Sequence, residues 1–242
     1  MHLSVIVPAY NEEKRIKSTV MDIVGYLSKQ NYSFEVIVVN DGSKDGTSEI
    51  VSELAKSVPV LKFIDNKENK GKGGVTKQGM LEARGKYRLF VDADNAIKIT
   101  HIEAFWPYIK EKGFDMVIGS IELEGSKREE GYVGFSKIYR NVLGKLSKCL
   151  VRALVAWDIH DTQRAFKLFT AETAEEIFSR QTIMRWGFDM ELIIIAKELG
   201  YRIKELPVEW LNPPGRVNFM AYLKTLRELF QIKLNALFGK YK

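Results

Sequence analysis

Two carboxylates one residue apart, Asp92 and Asp94, close the apolar run Lys86-Tyr-Arg-Leu-Phe-Val-Asp-Ala-Asp. Successive strand side chains point to opposite faces, so both acids serve one site only if the strand stops and the chain turns between them. Mg²⁺ or Mn²⁺ favours hard oxygen ligands, and Mg²⁺ usually takes one or two carboxylates and leaves its other positions to water and substrate phosphates. The pair is therefore expected to hold a divalent cation, with Asp94 and Asp92 as ligands, against a diphosphate-bearing substrate. An isolated Asp-x-Asp is more often a polar turn, so the loops around it decide the reading.

Short β-branched runs over residues 3–7, 34–39, 60–64 and 88–91 alternate with helical segments near 12–29, 45–57 and 74–84. That punctuation predicts an α/β fold with a mostly parallel central sheet, helices on both faces and ligands beyond the carboxyl ends of the strands. Every polar cluster falls at such an end: Pro8-Ala-Tyr10-Asn-Glu12-Glu13, Asn40-Asp41-Gly-Ser, Asn69-Lys70-Gly-Lys72-Gly-Gly74 and the Asp92/Asp94 pair. Four loops are expected to converge on one crevice. Individually they have plainer readings. Asn-Asp-Gly-Ser is ordinary turn chemistry, although a strand-end Asp also suits a base edge. Glu12 and Glu13 complement a helix dipole. The Lys70–Gly74 segment offers backbone N–H groups and two cations, yet its spacing is neither that of a P-loop nor that of a dinucleotide fingerprint, which disfavours both classes.

The chain has 242 residues, 45% hydrophobic, and no composition shift marks a linker, so one large domain is expected. The single cysteine, Cys149, excludes a disulfide framework and fits a reducing compartment, and three scattered histidines argue against zinc. Strand-like sequence follows Met1-His2 without a basic then apolar leader, no apolar run reaches the ~20 residues needed to span a bilayer, and neither a signal peptide nor a spanning helix is expected. The net charge of +6 points to nucleic acid, an anionic membrane or a phosphorylated substrate, and its location separates these. Between 131 and 157, Lys137, Arg140, Lys145, Lys148 and Arg152 accompany an apolar stripe with no acid; from 215 onward Arg216, Lys224, Arg227, Lys233, Lys240 and Lys242 accompany Phe219, Leu223, Leu226, Phe230, Leu234 and Leu237. Such amphipathic interface helices suit an anionic membrane surface, the alternatives being core packing or the dimer seam of a homo-oligomer. No nucleic-acid partner is expected.

Taken together, Val5-Ile-Val-Pro-Ala-Tyr-Asn-Glu, Val38-Val-Asn-Asp-Gly-Ser, Asn69-Lys-Gly-Lys-Gly-Gly and Phe90-Val-Asp-Ala-Asp resemble the nucleotide-sugar half of the family 2 inverting glycosyltransferases of GT-A fold. Asp161-Thr-Gln-Arg-Ala-Phe-Lys-Leu-Phe-Thr, Arg185-Trp-Gly-Phe-Asp-Met-Glu-Leu and Leu206-Pro-Val-Glu-Trp extend the likeness to the dolichyl-phosphate glucosyl- and mannosyltransferases, the glucosyl branch above all. The resemblance implies a nucleotide-sugar half over 1–120, an acceptor half over 121–212 and a basic amphipathic tail over 213–242. Asp41 would read the base, Pro8, Tyr10 and Glu12 line the nucleoside pocket, Asp92 lie near the ribose and Asp94 hold the metal. Lys70, Lys72 and Arg216 would serve the donor, Arg216 being equally readable as a solvated loop cation; Lys137, Arg140 and Lys167 would face the acceptor phosphate. Asp161, Asp189 and Glu191 are candidate sugar-hydroxyl ligands, Asp189 being equally readable as a helix N-cap. Two departures stand out: Ile121 follows Gly119-Ser120 where the branch often shows Arg, and Arg164-Ala165 stand where Cys-Gly is frequent.

The acceptor class also has a chemical basis. Transfer to a hydroxyl requires a general base near pH 7, whereas a phosphomonoester with a second pKa near 6 is already mostly a dianion. No His lies among the motifs, and His160 reads as a surface-turn residue. The expected activity is hexosyl transfer, glucose before mannose, from a nucleoside-diphosphate sugar such as UDP-glucose to a polyisoprenyl phosphate, on the cytosolic face of a membrane. Transfer to a glycan would need a base such as Asp189 or Glu191. A non-catalytic nucleotide-sugar-binding scaffold is the rival of another class.

Overall fold

Val5 and Val7 face one apolar layer and Ile6 the other, so β1 (Leu3–Ala9) is buried throughout and carries a core on each side of the sheet. The same alternation holds for Val36 and Val38 against Ile37 and Val39 in β2 (Phe34–Asp41). The computed structural model describes residues 1–128, 156–211 and 219–242. Lys137, Arg140, Arg216 and nearly all of the first basic stripe lie outside these residues.

One face is covered by α1 (Ile16–Leu27), α2 (Thr47–Ser57) and α4 (Ile102–Lys110), which pack Ile23, Val51, Phe105 and Ile109 onto it. The other receives α3 (Lys72–Glu82), α5 (Ala171–Arg180), α6 (Phe188–Glu198) and α7 (Phe219–Leu237). With β3 (Leu61–Asn66), β4 (Tyr87–Phe90), β5 (Met116–Ser120), β7 (Lys167–Thr170) and β8 (Ile203–Pro207), the sheet order is β3-β2-β1-β4-β7-β5-β8. The β1–β2, β2–β3, β1–β4 and β5–β8 pairs are parallel, as expected. Strand β7 runs antiparallel to both neighbours, with Leu89 opposite Leu168 and Val117 opposite the same residue. Its sequence alternates too briefly to announce a strand; pairing on both edges makes it one. A two-stranded ribbon, β6 (Lys127–Arg128) with β9 (Glu209–Trp210), stands beside the sheet.

The described part of the C-terminal segment, expected as a basic amphipathic tail over 213–242, packs against the domain. Helix α7 lies on α6, and among its described side chains Leu229 and Ile232, absent from the expected stripe, are fully buried. Leu226 packs against the same core, while Phe230, Leu234 and Leu237 face outward and Phe238 is 83% exposed. The stripe is thus split between core and surface. Tyr241 is fully buried and donates from its hydroxyl to Glu191 at 2.8 Å, and Asn235 donates to Thr182 Oγ1 at 3.1 Å. Glu228, the one acid of the tail, accepts from the Gly187 N–H at 2.7 Å and so caps the start of α6. Among the described residues no helix is long and apolar enough to cross a membrane.

Removal of the segment is accordingly expected to undo the packing of α6. Tyr241→Ala should cost about 3–5 kcal/mol of stability as a large-to-small core change, and Tyr241→Phe about 1–3 kcal/mol by depriving buried Glu191 of a donor. Denaturant unfolding checks both, with an unchanged midpoint for Tyr241→Ala as the contrary result.

Candidate active site

Strand β4 ends at Phe90, and the chain turns so that Asp92 and Asp94 both leave the sheet at its carboxyl end. The turn is pinned from α1, where the Thr19 hydroxyl donates to the Ala93 carbonyl at 2.7 Å, and from within, where Ala96 N–H donates to Asp94 Oδ1 at 3.0 Å. Asn95 takes a left-handed φ of 56°, a conformation Asn tolerates, and donates to Asp22. Burial raises the Asp94 pKa, and the like charge of Asp92 adds to it. Burial also raises Glu12 above the ordinary glutamate value against the pull of Arg15, with smaller contributions from Asp94 and Asp92. The three acids therefore share one field at the mouth of the crevice.

Lys72 answers that field. It occupies the first turn of α3 and its ammonium lies 2.5 Å from Asp92 Oδ1. Burial opposes its charge, but Asp92, Asp189 and Asp94 outweigh burial and hold its pKa above the usual lysine value. Trp186, 61% exposed, stands with its ring 5.6 Å from the same ammonium. Lys72 is thus an internal counter-ion of the acid pair, a role its loop sequence does not reveal.

The glycine-rich segment is shaped by packing more than by an anion. Gly71 N–H and Lys70 N–H donate to Asp41 Oδ1 at 3.1 and 2.6 Å, Asn69 Nδ2 donates to Asp41 Oδ2 at 2.9 Å, and Gly74 N–H goes to the Met184 carbonyl at 3.0 Å. Gly71 has φ +85°, and a Cβ there would sit 2.4 Å from the Met184 oxygen; at Gly73 one would sit 2.7 Å from the Ile183 oxygen. Asp41 is buried with its pKa raised by desolvation, partly offset by the Lys70 and Gly71 amides. Its carboxylate organises the loop after β3 in addition to standing at the strand end.

The remaining expected site residues divide. Pro8 is buried at the end of β1, and Tyr10, just beyond that strand, is exposed. Lys70 reaches out to Gln78 at 3.2 Å. Lys167 is 0% exposed; it pairs with Asp189, donates to the Arg164 carbonyl at 2.5 Å and lies 5.2 Å from the Phe90 ring. Burial lowers its pKa, with Asp189 opposing. Lys167 is therefore not presented to an acceptor phosphate, and Asp189, in the first turn of a helix whose N-cap is Gly187, is neither a cap nor open to a ligand. Glu191 is fully buried and accepts from Thr182 N–H, Ile183 N–H and Tyr241, which removes it as a base or sugar ligand. Asp161 is also buried; it accepts from Ile121 N–H at 3.2 Å and Arg164 Nε at 3.0 Å, while His160 sits at the surface against Glu205. Before Lys167, Phe166 has φ +119°, strain for a bulky residue that complete burial against Phe105 sustains. Trp186, Gln163 and Trp210 are not among the site residues expected from the sequence; the last two line the crevice with Asp92, Arg164 and Ala165, and no local pattern marks them.

The acid pair suits a hard divalent cation by its chemistry: two carboxylates, one disfavoured as an anion by burial and by its neighbour, are stabilised by added positive charge. Among the described residues no three such side chains gather, so the protein would supply part of a coordination shell and the substrate the rest.

This mixed sheet with an Asp-x-Asp turn at its carboxyl edge belongs to a defined class: the sequence profile described as Glycosyl transferase family 2 matches residues 4–178, and the chain is a member of that family. Within it, the chain is 34% identical over 254 residues to the dolichyl-phosphate beta-glucosyltransferase of Dictyostelium discoideum, covering 100% of this chain and 77% of the relative. It is 35% identical over 256 residues to the enzyme of the same name from Drosophila melanogaster, with the same coverages of 100% and 77%. Among solved structures, glucosyl-3-phosphoglycerate synthase from Mycobacterium tuberculosis with uridine diphosphate superposes with a TM-score of 0.71 at 18% identity, over 97% of this chain and 79% of that one. The same enzyme with Mn²⁺, uridine diphosphate and phosphoglyceric acid gives 0.68, also at 18% identity, over 99% and 78%. At these identities the structural likeness establishes the GT-A fold.

Two outcomes are expected. Asp41→Ala should lower stability by about 1–3 kcal/mol, through the amides left unpaired; denaturant unfolding checks this, and an unchanged midpoint would contradict the loop-holding role. Mn²⁺ binding should weaken on acidification from a pH above the ordinary aspartate value of 3.8, because the proton competes for Asp94, whose pKa is raised. Asp92→Asn, by removing the like charge, should move that onset to lower pH; titration calorimetry across pH reads it.

Proposed function

We propose that the protein transfers glucose from UDP-glucose to a polyisoprenyl phosphate of the dolichyl type, with inversion at the anomeric carbon, on the cytosolic face of a membrane and with Mg²⁺ or Mn²⁺. The observation that carries the acceptor is the state of the two acids a hydroxyl acceptor would need: Asp189 is closed in an ion pair and Glu191 in a hydrogen-bonded cage. A phosphate dianion needs neither, since it attacks without losing a proton. In the transfer, a phosphate oxygen forms the new bond to the anomeric carbon from the face opposite the nucleotide. The bond to the diphosphate oxygen breaks, and its electron pair leaves with UDP. A bound divalent cation would supply charge to the departing diphosphate. Asp94 and Asp92 would hold that cation, Lys72 would keep Asp92 in place and add positive charge, and Asp41, Pro8, Tyr10 and Glu12 would shape the nucleoside end. The names of the relatives support glucose and dolichyl phosphate.

The exposed face of α7 supports a membrane location. Phe230, Leu234, Leu237 and Phe238 are outward, with exposed Lys240 and Lys242 close by, the composition of an interfacial helix.

Incubation of the protein with radiolabelled UDP-glucose or GDP-mannose and a polyisoprenyl phosphate is expected to give a glucosyl phosphate lipid, dependent on added Mg²⁺ or Mn²⁺ and abolished by EDTA or by Asp94→Asn; transfer only from GDP-mannose, or only to hydroxyl acceptors, is the contrary result. Co-sedimentation with anionic vesicles should fall as salt rises, the Debye length being roughly 10 Å at 0.1 M, and should fall further in a Leu234→Ser/Phe238→Ser variant. Undiminished pelleting of that variant would remove α7 from the membrane contact.

A further inference from the structure

The two departures from the family pattern, Ile121 and Arg164, are neighbours. Asp161 Oδ2 accepts from the Ile121 N–H at 3.2 Å and from Arg164 Nε at 3.0 Å. The Arg164 guanidinium also lies over the Trp210 ring, its carbon 4.8 Å from the centroid. One ion pair and one ring thus fix its plane. Nε is committed, but among the described residues neither Nη group has an acceptor, and the side chain is 27% exposed. Its surroundings are the crevice wall that also contains Asp92, Ala96, Gln163 and Trp210. Other described cations close to this wall are engaged: Lys72 with Asp92, and Lys167, out of solvent reach, with Asp189.

We infer that Arg164 binds the phosphate of the acceptor, so that the cation absent at residue 121 is supplied from residue 164. This assignment rests on the acceptor class proposed above and adds to it the residue that receives the nucleophile. A guanidinium held by Nε retains its Nη groups for a phosphate oxygen pair, a geometry that favours Arg over a point charge. The position beside Asp92 sets the acceptor dianion next to the acid pair, whose negative field would otherwise repel it. Asp161 and Trp210 act as positioning residues for Arg164.

The test compares wild type with Arg164→Met, which keeps an apolar stem over Trp210, and Arg164→Lys, which keeps charge. With saturating UDP-glucose and a short polyisoprenyl monophosphate as varied acceptor, Arg164→Met should raise the acceptor KM at least about tenfold, while the affinity for uridine diphosphate by calorimetry stays within about twofold. Arg164→Lys should recover part of the loss. In wild type the acceptor KM should fall as pH rises through the second phosphate pKa near 6, and Arg164→Met should flatten that dependence. A wild-type acceptor KM in Arg164→Met, or equal defects in the Met and Lys variants with a lowered unfolding midpoint, would overturn the assignment and leave Arg164 a structural residue. Wild-type protein that glucosylates no lipid phosphate would instead overturn the acceptor reading itself.

Discussion

Two lysine–aspartate pairs, one within each half of the protein and the second fully buried, set how the elements around the crevice meet. Lys72 on α3 meets Asp92 beyond β4, and Lys167 on β7 meets Asp189 on α6. Each pair ties a helix to the neighbouring strand or its exit, and the two are close enough that Asp189 raises the Lys72 pKa and Lys72 lowers that of Lys167. Burying such ions costs several kcal/mol apiece, offset only by good pairing, so loss of one partner is far more disruptive than replacement of both. That constraint fixes how α3, β4, β7 and α6 meet. It also explains why a lysine next to glycines is not a free phosphate ligand here.

Charge at the crevice follows from the same arrangement. Asp92 has a lysine partner, Asp94 is partly buried beside a like charge, and Glu12 feels both. The site is poised to accept positive charge, which is the state a metal-bound diphosphate would satisfy. Among the described residues the deeper carboxylates Asp161, Asp189 and Glu191 are engaged by partners, unlike those at the mouth of the crevice. An inverting transfer to a nucleophile that is already anionic suits such a site.

The parallel strands were legible because their apolar residues run without interruption, and the loops because turn residues and acids cluster at strand ends. Asp92 and Asp94 could be placed after β4 for that reason. Strand β7 was not legible: its run Lys167-Leu-Phe-Thr is short and begins with a charge whose burial depends on Asp189, twenty-two residues on. The fate of Asp189 and Glu191 was equally hidden, since helix position says nothing of a partner such as Tyr241, fifty residues away in sequence. The split of the α7 stripe arose from the same cause. Leu229 and Ile232 and the row Phe230, Leu234 and Leu237 are all apolar, and only the seat on α6 decides which row is covered.

The antiparallel insertion of β7 bears on how the chain reaches this state. Strands β1 to β4 and their helices come from the first ninety or so residues and assemble through near-neighbour crossovers, whereas Tyr87–Phe90 pairs with Lys167–Thr170 across some eighty residues of sequence. Loop closure over that distance is entropically slow, so docking of β7 follows formation of the first half. Until it docks, β4 is an open sheet edge with unpaired backbone groups, the kind that templates pairing with another chain. A nascent or unfolded population is thus prone to association along β4, next to the turn that carries Asp92 and Asp94.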